Sequence, residues 1–344
     1  QGFLTTAYPE LKVSGGKGSK IKLTYSEALF DERGKGNRNE IDGRECRGFA
    51  DEFLPDGADG RLFRPLWFKT YRYIQLDIET GAAPLVVEDL YGIYTGYPFE
   101  VRGSFESDDP ALEKIWETGW RTARLCAHET YFDCPYYEQL QYAGDTRIQA
   151  LISLYVSGDD RLVRKAIRMY DLSRSYEGIT CSRYPSHIPQ YIPPFSLYWI
   201  GMIHDYWMHR SDDAFVRSFL PGIRTVLSWF TEKIDPRTGL LKNGLPHWNF
   251  TDWATSWERG IAPESDSSGS AITTLQLAAA LDDAADLMRR YDRPAEAKEY
   301  AATSAGLKKN VYEKCWDASK GLLRDYIGSP TYSQHVNIMG YRML

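Results

Sequence analysis

The hydrophobic period of this chain changes near residue 105, and that change decides most of what it can fold into. Before it, Lys20-Ile21-Lys22-Leu23-Thr24-Tyr25 and Thr70-Tyr71-Arg72-Tyr73-Ile74-Gln75-Leu76-Asp77-Ile78 alternate apolar with polar residues, the pattern of strands with one buried face. Turn-forming stretches separate them: Ser14-Gly15-Gly16-Lys17-Gly18, Gly34-Lys35-Gly36-Asn37 and Pro55-Asp56-Gly57. Phe99-Glu100-Val101-Arg102-Gly103-Ser104-Phe105 is the last strand-like run. Residues 1–104 therefore predict a β-sandwich domain.

Beyond it the period becomes helical. Ser107-Asp108-Asp109-Pro110 supplies a capping residue and a proline for the first helical turn. Ala111, Leu112, Ile115, Trp116 and Trp120 continue as an apolar stripe to about Cys126, and Ile148, Leu151, Ile152 and Tyr155 give the next helix a predicted buried face. Further helices are expected near 160–175, 195–210, 213–233, 269–291 and 294–313, so residues 105–344 read as an all-α domain. Its joints alternate between short, as in Gly158-Asp159-Asp160, and long, as at 176–194 and 234–268. If helices alternate between an inner and an outer ring, the long loops gather at one mouth of an α/α toroid, around a central pocket.

Composition removes several function classes. The net charge of −6 is made of interspersed charges with no basic stripe, which argues against nucleic acid. No run approaches the roughly 18 apolar residues of a membrane span, and no signal-like segment follows Gln1; export would suit a polymeric substrate, but the compartment stays open. Five cysteines without a CxxC pair favour neither zinc nor a disulfide framework. His204 and His209 lack a third ligand at metal spacing, so no metal and no cofactor is implied. Neither a GxSxG elbow nor a phosphate loop is found. What stands out is 14% aromatic content, with 10 Trp and 24 Tyr, because rings are the surfaces on which sugars stack.

Acids and rings coincide at Tyr131-Phe132-Asp133-Cys134-Pro135-Tyr136-Tyr137-Glu138-Gln139-Leu140-Gln141-Tyr142-Ala143-Gly144-Asp145. Carboxylates handle the proton traffic of glycoside hydrolysis and rings take the C–H face of a pyranose. The other reading has Asp133 and Asp145 at helix starts, favoured by capping and the macrodipole, and the tyrosines in core. Cys134 precedes proline, which keeps Asp133 in a loop. Glu138 and Asp145 would share one side of a continuous helix about 10 Å apart, although Gly144 argues for a break.

This segment, from Asp133-Cys134-Pro135 through Glu138, Tyr142, Gly144 and Asp145, resembles the signature of the α-L-rhamnosidases of glycoside hydrolase family 78. Phe68-Lys69-Thr70-Tyr71-Arg72-Tyr73-Ile74 looks like the end of that family's accessory β-domain, and Trp248-Asn249-Phe250-Thr251-Asp252-Trp253 is similar to its aspartate-tryptophan loop. The resemblance implies an (α/α)6 toroid that hydrolyses terminal α-L-rhamnose from glycosides or polysaccharides with inversion. Glu138 then falls on the general acid, with Asp133 and Asp145 binding sugar hydroxyls and supplying the like charge that raises its pKa. Tyr142, Trp248, Asp252 and Trp253 would complete the substrate site.

Inversion also needs a base roughly 6.5–9.5 Å from the acid. The family's motif for it is not met before Leu344, and Glu258 lies too close to Trp253, so the toroid is expected to be incomplete here and the base to lie outside this chain. Two positions depart from the pattern: Tyr137 stands where many members have arginine, and Tyr142 where they have tryptophan. A tyrosine stacks but cannot replace a bidentate cation. A sugar-binding relative without catalysis, or an (α/α)6 glycosidase for another terminal sugar, are the alternatives. Outside the motif, Trp257 is a further pocket candidate, while His247 and Asp266 are weaker ones. His187 reads as exposed, and Trp199, Tyr206 and Trp207 as packing. Asp205 requires a partner if buried, and Asp266-Ser267-Ser268-Gly269-Ser270 reads as a helix entrance.

Overall fold

The computed structural model describes residues 1–343. Two compact units divide them, one from Gln1–Glu100 with Ser104–Gln139, the other from Val101–Gly103 with the chain from Leu140 onward. The limit between the units thus falls within the Asp133–Asp145 segment.

In the first unit the strands are β1 (Thr5–Gly15), β2 (Lys20–Ser26), β3 (Phe30–Asp31), β4 (Gly34–Lys35), β5 (Phe49–Phe53), β6 (Arg61–Phe63), β7 (Lys69–Tyr71), β8 (Tyr73–Glu79) and β9 (Leu85–Tyr94), followed by helix α1 (Pro110–Leu125). β1 is a central strand: β9 pairs along one edge, while β7 and then β6 pair along the other, all antiparallel. β2 lies antiparallel between β5 and β8 in the second sheet. Ala7, Leu11 and Val13 of β1 meet Ile21, Leu23 and Tyr25 of β2 in the core, with Tyr71. Alternation by two puts these side chains on one face and Lys12 and Lys22 on the other.

Two strand expectations need correction. The run 70–78 is two strands, not one: Arg72 carries the chain from β7 in one sheet to β8 in the other, its N–H donating to the Ser26 carbonyl at 2.9 Å. Alternation records burial but not which sheet a residue joins. The run Phe99–Phe105 forms no strand; Arg102 and Gly103 donate instead to the Val156 carbonyl, at 2.8 Å each. Helix α1 starts as predicted, with Asp109 accepting from the Ala111 N–H at 2.9 Å.

The second unit holds α2 (Ala143–Val156), α3 (Arg161–Leu172), α4 (Pro193–His209), α5 (Asp213–Arg217), α6 (Leu220–Thr231), α7 (Ala271–Arg290) and α8 (Pro294–Cys315). A short hairpin of two-residue strands, β10 (Trp316–Asp317) with β11 (Leu322–Leu323), leads to α9 (Gln334–Met343). The single helix expected at 213–233 is broken between α5 and α6, where Pro221 has no N–H to continue a ladder and starts a new helix instead. α2, α4, α7 and α9 pack in succession, with α3 behind α2 and α4 and α8 behind α7. This is the alternation of inner and outer helices that the joints suggest.

The buried face of α2 is not the one predicted. Ile148 and Tyr155 are each 65% exposed, whereas Ala143, Thr146, Ala150, Ser153, Leu154 and Val156 are buried. Small side chains let α2 lie close against α4, and close approach outweighs the larger apolar stripe. The helices α2, α4, α7 and α9 are each entered from a loop, and the long ones span 173–192, 232–270 and 316–333. The joints at 157–160, 210–212 and 291–293 are short and lie at the other helix ends. Hairpin alternation therefore collects the long connections at one end of this unit.

Candidate active site

The first half of the motif is docked on the sandwich. Phe68, His128 and Phe132 form a stack, with ring centroids 4.4 Å apart for Phe68 and His128 and 5.0 Å for His128 and Phe132. Burial holds the His128 imidazole below its usual pKa, so it packs as a neutral ring. The Thr70 hydroxyl donates to the Pro135 carbonyl and the Tyr136 hydroxyl to the Tyr25 carbonyl, the latter at 2.8 Å. Residues 135–138 form a turn, with the Glu138 N–H donating to the Cys134 sulfur at 3.3 Å, and Gln139 follows at φ 52°. Glu138 points out of this turn exposed, and Asp133 is half-buried beside it in sequence. The burial expected around a general acid is thus not supplied by the turn itself.

The left-handed Gln139 and the start of α2 at Ala143 rule out one continuous helix through Glu138 and Asp145. Asp145 instead occupies the first turn of α2, where the macrodipole favours a carboxylate. Tyr142, just before α2, pairs with Arg183 as an isolated antiparallel bridge, and Arg183 donates to the Tyr142 hydroxyl at 2.9 Å. The Ala143 N–H donates to the Ser182 carbonyl at 2.9 Å. The 173–192 loop thus fixes the start of α2.

From Tyr142 a series of rings runs along the loop end of the second unit. Tyr142 meets Phe195 edge-on at 6.4 Å, Phe195 meets Phe250 at 6.0 Å, and Phe250 lies 5.1 Å from Trp248 and 5.2 Å from Trp253. The Trp248 indole donates to the Arg259 carbonyl at 3.0 Å, while Trp253 is 73% exposed. Thr251 and Asp252 both donate their N–H to the Gly260 carbonyl, at 2.8 and 3.2 Å, closing the loop on itself. Asp252 Oδ2 lies 3.0 Å from His335 Nε2 at the start of α9, and Trp257 packs on the His335 ring at 4.7 Å. The second unit therefore brings together Tyr142, Trp248, Asp252 and Trp253, whereas Asp133 and Glu138 belong to the first.

Arg183, Phe195, Phe250 and His335 were missed in the sequence. None sits at a spacing that separates a site residue from packing, although Phe250 lies inside the singled-out loop. His247 contacts Glu177 at 3.3 Å, and this hydrogen bond, first of several, holds the Glu177 carboxyl below its usual range. Asp266 accepts from Asn243 at 2.7 Å, and 266–270 does lead into α7. His187 is exposed, and Trp199 and Tyr206 are buried core. Asp205 has its partner: Arg147 Nε at 2.7 Å. Asp283, 3.8 Å from the same guanidinium, has its carboxyl pushed up by burial, against the pull of His204 and Arg147.

Among the described residues no group of three or more His, Cys, Asp or Glu is arranged to hold a metal ion, and no helix is long and apolar enough to cross a membrane. The fold has clear counterparts. A family 78 rhamnosidase from Bacillus sp. GL1 is 25% identical, with a TM-score of 0.85 over 99% of this chain and 35% of its own. A rhamnosidase from Klebsiella oxytoca with rhamnose bound is 18% identical, with a TM-score of 0.82 over 98% of this chain and 66% of its own. The α-L-rhamnosidase of Streptomyces avermitilis complexed with L-rhamnose gives 18% and 0.69, over 94% of this chain and 30% of its own. The chain thus spans about a third of the first of these proteins. No curated protein matches it. The bacterial α-L-rhamnosidase six-hairpin glycosidase domain matches residues 100–339, well over half of the sequence, and the chain belongs to that family.

Proposed function

We propose that the protein acts on terminal α-L-rhamnose in glycosides or polysaccharides, cleaving the glycosidic bond with inversion and using Glu138 as general acid. The observation that carries this reading is the ring series from Tyr142 to Trp253, with Asp252 beside it, in a chain of the rhamnosidase six-hairpin family. Flat apolar faces take the C–H side of a deoxysugar, and the Asp252 carboxylate accepts from its hydroxyls. Asp133 and Asp145 serve as further hydroxyl acceptors.

Chemically, Glu138 delivers its proton to the glycosidic oxygen as the bond to the anomeric carbon breaks. Water, deprotonated by a carboxylate outside the Asp133–Asp145 segment, attacks the opposite face and leaves the inverted sugar. Glu138 is exposed without substrate, so arrival of the sugar is what excludes water from it. Titration of an aryl α-L-rhamnoside tests the assignment. Glu138→Gln is expected to abolish hydrolysis while rhamnose binding stays within about twofold; a wild-type protein that binds rhamnose without ever cleaving it supports a sugar-binding role and refutes the enzymatic one. Preference for an aryl glucoside would move the assignment to another terminal sugar.

A further inference from the structure

Beneath the ring series, α4 and α7 hold two polar side chains whose hydrogen bonding is half finished. Both helices are entered from the loop end of the second unit and pack on one another. Tyr198 is the sixth residue of α4 and Gln276 the sixth of α7, so at 1.5 Å per residue each lies roughly 8 Å below its helix start. They meet at that depth, Gln276 Nε2 donating to the Tyr198 hydroxyl at 3.0 Å.

Tyr198 borders open space. Every other residue from Ile192 to Ile203 is buried, whereas Tyr198 is only half-buried. Its ring lies 5.7 Å from that of Phe195, which links Tyr142 to Phe250, so Tyr198 continues the series inward. Burial is the main influence on the phenol and raises its pKa; the Gln276 hydrogen bond and the Arg147 guanidinium pull it down, and the Asp252 carboxylate raises it further. The phenol therefore keeps its proton, within the field of the same Asp252 that the proposed function assigns to the sugar.

The pair is incomplete on both sides. Gln276 is 6% exposed, and among the described residues its Oε1 is buried with no donor. The Tyr198 oxygen accepts from the amide, and among the described residues its own O–H has no acceptor. Turning the amide over lets the phenol donate to Oε1 and frees the NH2 protons and a phenol lone pair instead, so either orientation offers one donor and one acceptor side by side. Buried groups of this kind are ordinarily answered. A hydroxyl, which donates and accepts, answers both; the methyl group or the C–H face of a deoxysugar answers neither. We propose that Tyr198 and Gln276 together bind one ring hydroxyl of the terminal sugar, which donates to the amide oxygen and accepts from the phenol. The ring series then takes the apolar face of the sugar, while this pair demands a hydroxyl at one position and so helps to decide which sugar is accepted.

This inference rests on the rhamnose reading of the second unit, and calorimetry separates the two. L-rhamnose and its monodeoxy analogues, each lacking one ring hydroxyl other than the anomeric one, are titrated into wild type and Tyr198→Phe, which removes a single oxygen. The variant is expected to bind rhamnose about fivefold more weakly, the size of one neutral hydrogen bond. For one analogue alone, wild type and variant should agree within about twofold, because the hydroxyl that the phenol serves is already gone. Gln276→Met, which leaves the phenol in place, should show the same pattern with the same analogue. Unchanged rhamnose affinity in both variants, or an equal loss for rhamnose and every analogue, overturns the pair as a binding element and leaves the rhamnose site standing. So does agreement of the two variants with wild type on different analogues. Failure of wild type to bind rhamnose refutes the sugar-site reading and this pair with it.

Discussion

Asp252 and His335 meet at 3.0 Å across 83 residues of sequence, the carboxylate of a long loop against the imidazole at the start of α9. The loop's own hydrogen bonds fix its backbone, the Trp253 N–H donates to Asp252 Oδ1 at 2.7 Å, and the His335 contact ties the other carboxylate oxygen to a helix.

Replacing His335 with alanine should therefore separate stability from recognition. Both side chains are well exposed, 34% and 59%, and exposed ion pairs contribute about 0–1 kcal/mol. Unfolding is expected to shift by no more than that, while rhamnose binding weakens about tenfold because Asp252 loses its orientation. Equal affinity for His335→Ala and wild type in calorimetry would remove Asp252 from the sugar site.

Gly260 controls the same loop through its backbone. It sits at φ 69°, and a β-carbon there would collide with the Phe250 ring and with the Asp252 carbonyl. Gly260→Ala should cost about 1–3 kcal/mol in strain and displace the ring between Trp248 and Trp253. Denaturant unfolding together with rhamnose titration checks both; a variant with native stability would show that the loop relaxes freely.

The Arg147 pair binds α2 to α4. Its side chains are mostly buried, 26% and 19% exposed, so Asp205→Asn should destabilise by about 2 kcal/mol, below the roughly 3–5 of a fully buried pair. Asp283→Asn should cost less, because burial already pushes that carboxyl toward its neutral form. Urea curves decide the order, and a larger loss at Asp283 would reverse the assignment of the primary partner.

His128 makes the docking of the motif sensitive to acid. Its pKa is lowered by burial from an unfolded value of 6.5. As pH falls below about 6.5 the unfolded chain takes up this proton before the folded one, so the stabilisation, fully present above that pH, is lost toward the lower folded value. Wild type should lose stability over this range, and His128→Phe, which keeps a ring between Phe68 and Phe132, should lose less. Parallel melts between about pH 7 and 5 test this; identical slopes would mean that the folded imidazole takes up its proton at the same pH as the unfolded one.

Much of the architecture is legible in the residues because each signal is local. The Asp109-Pro110 helix start is read from capping chemistry, and the β1–β2 core from alternation. What is not local is not legible. Arg72 sends two halves of one alternating run into different sheets, which no period records. The face of α2 is set by how closely α4 can approach, so Ala150 outweighs Ile148. For the candidate site, Tyr142, Trp248, Asp252 and Trp253 are singled out by composition and resemblance. His335, however, is one histidine in a short helix without a stripe, and only the fold brings it to Asp252.

Inserting residues into a loop of this kind adds little closure entropy, about 0.6 kcal/mol for each doubling of length. The connections at 173–192, 232–270 and 316–333 can therefore be extended at small closure cost at their exposed tips, while Ser182, Leu240 and Leu323 within them hold a helix start and the core. Those at 157–160 and 291–293 cannot, since each sets the register of an antiparallel helix pair. Under the proposed function, a redesign of which sugar is recognised has its room for change at the loop tips of one rim of the helical unit, and its prohibition at the other.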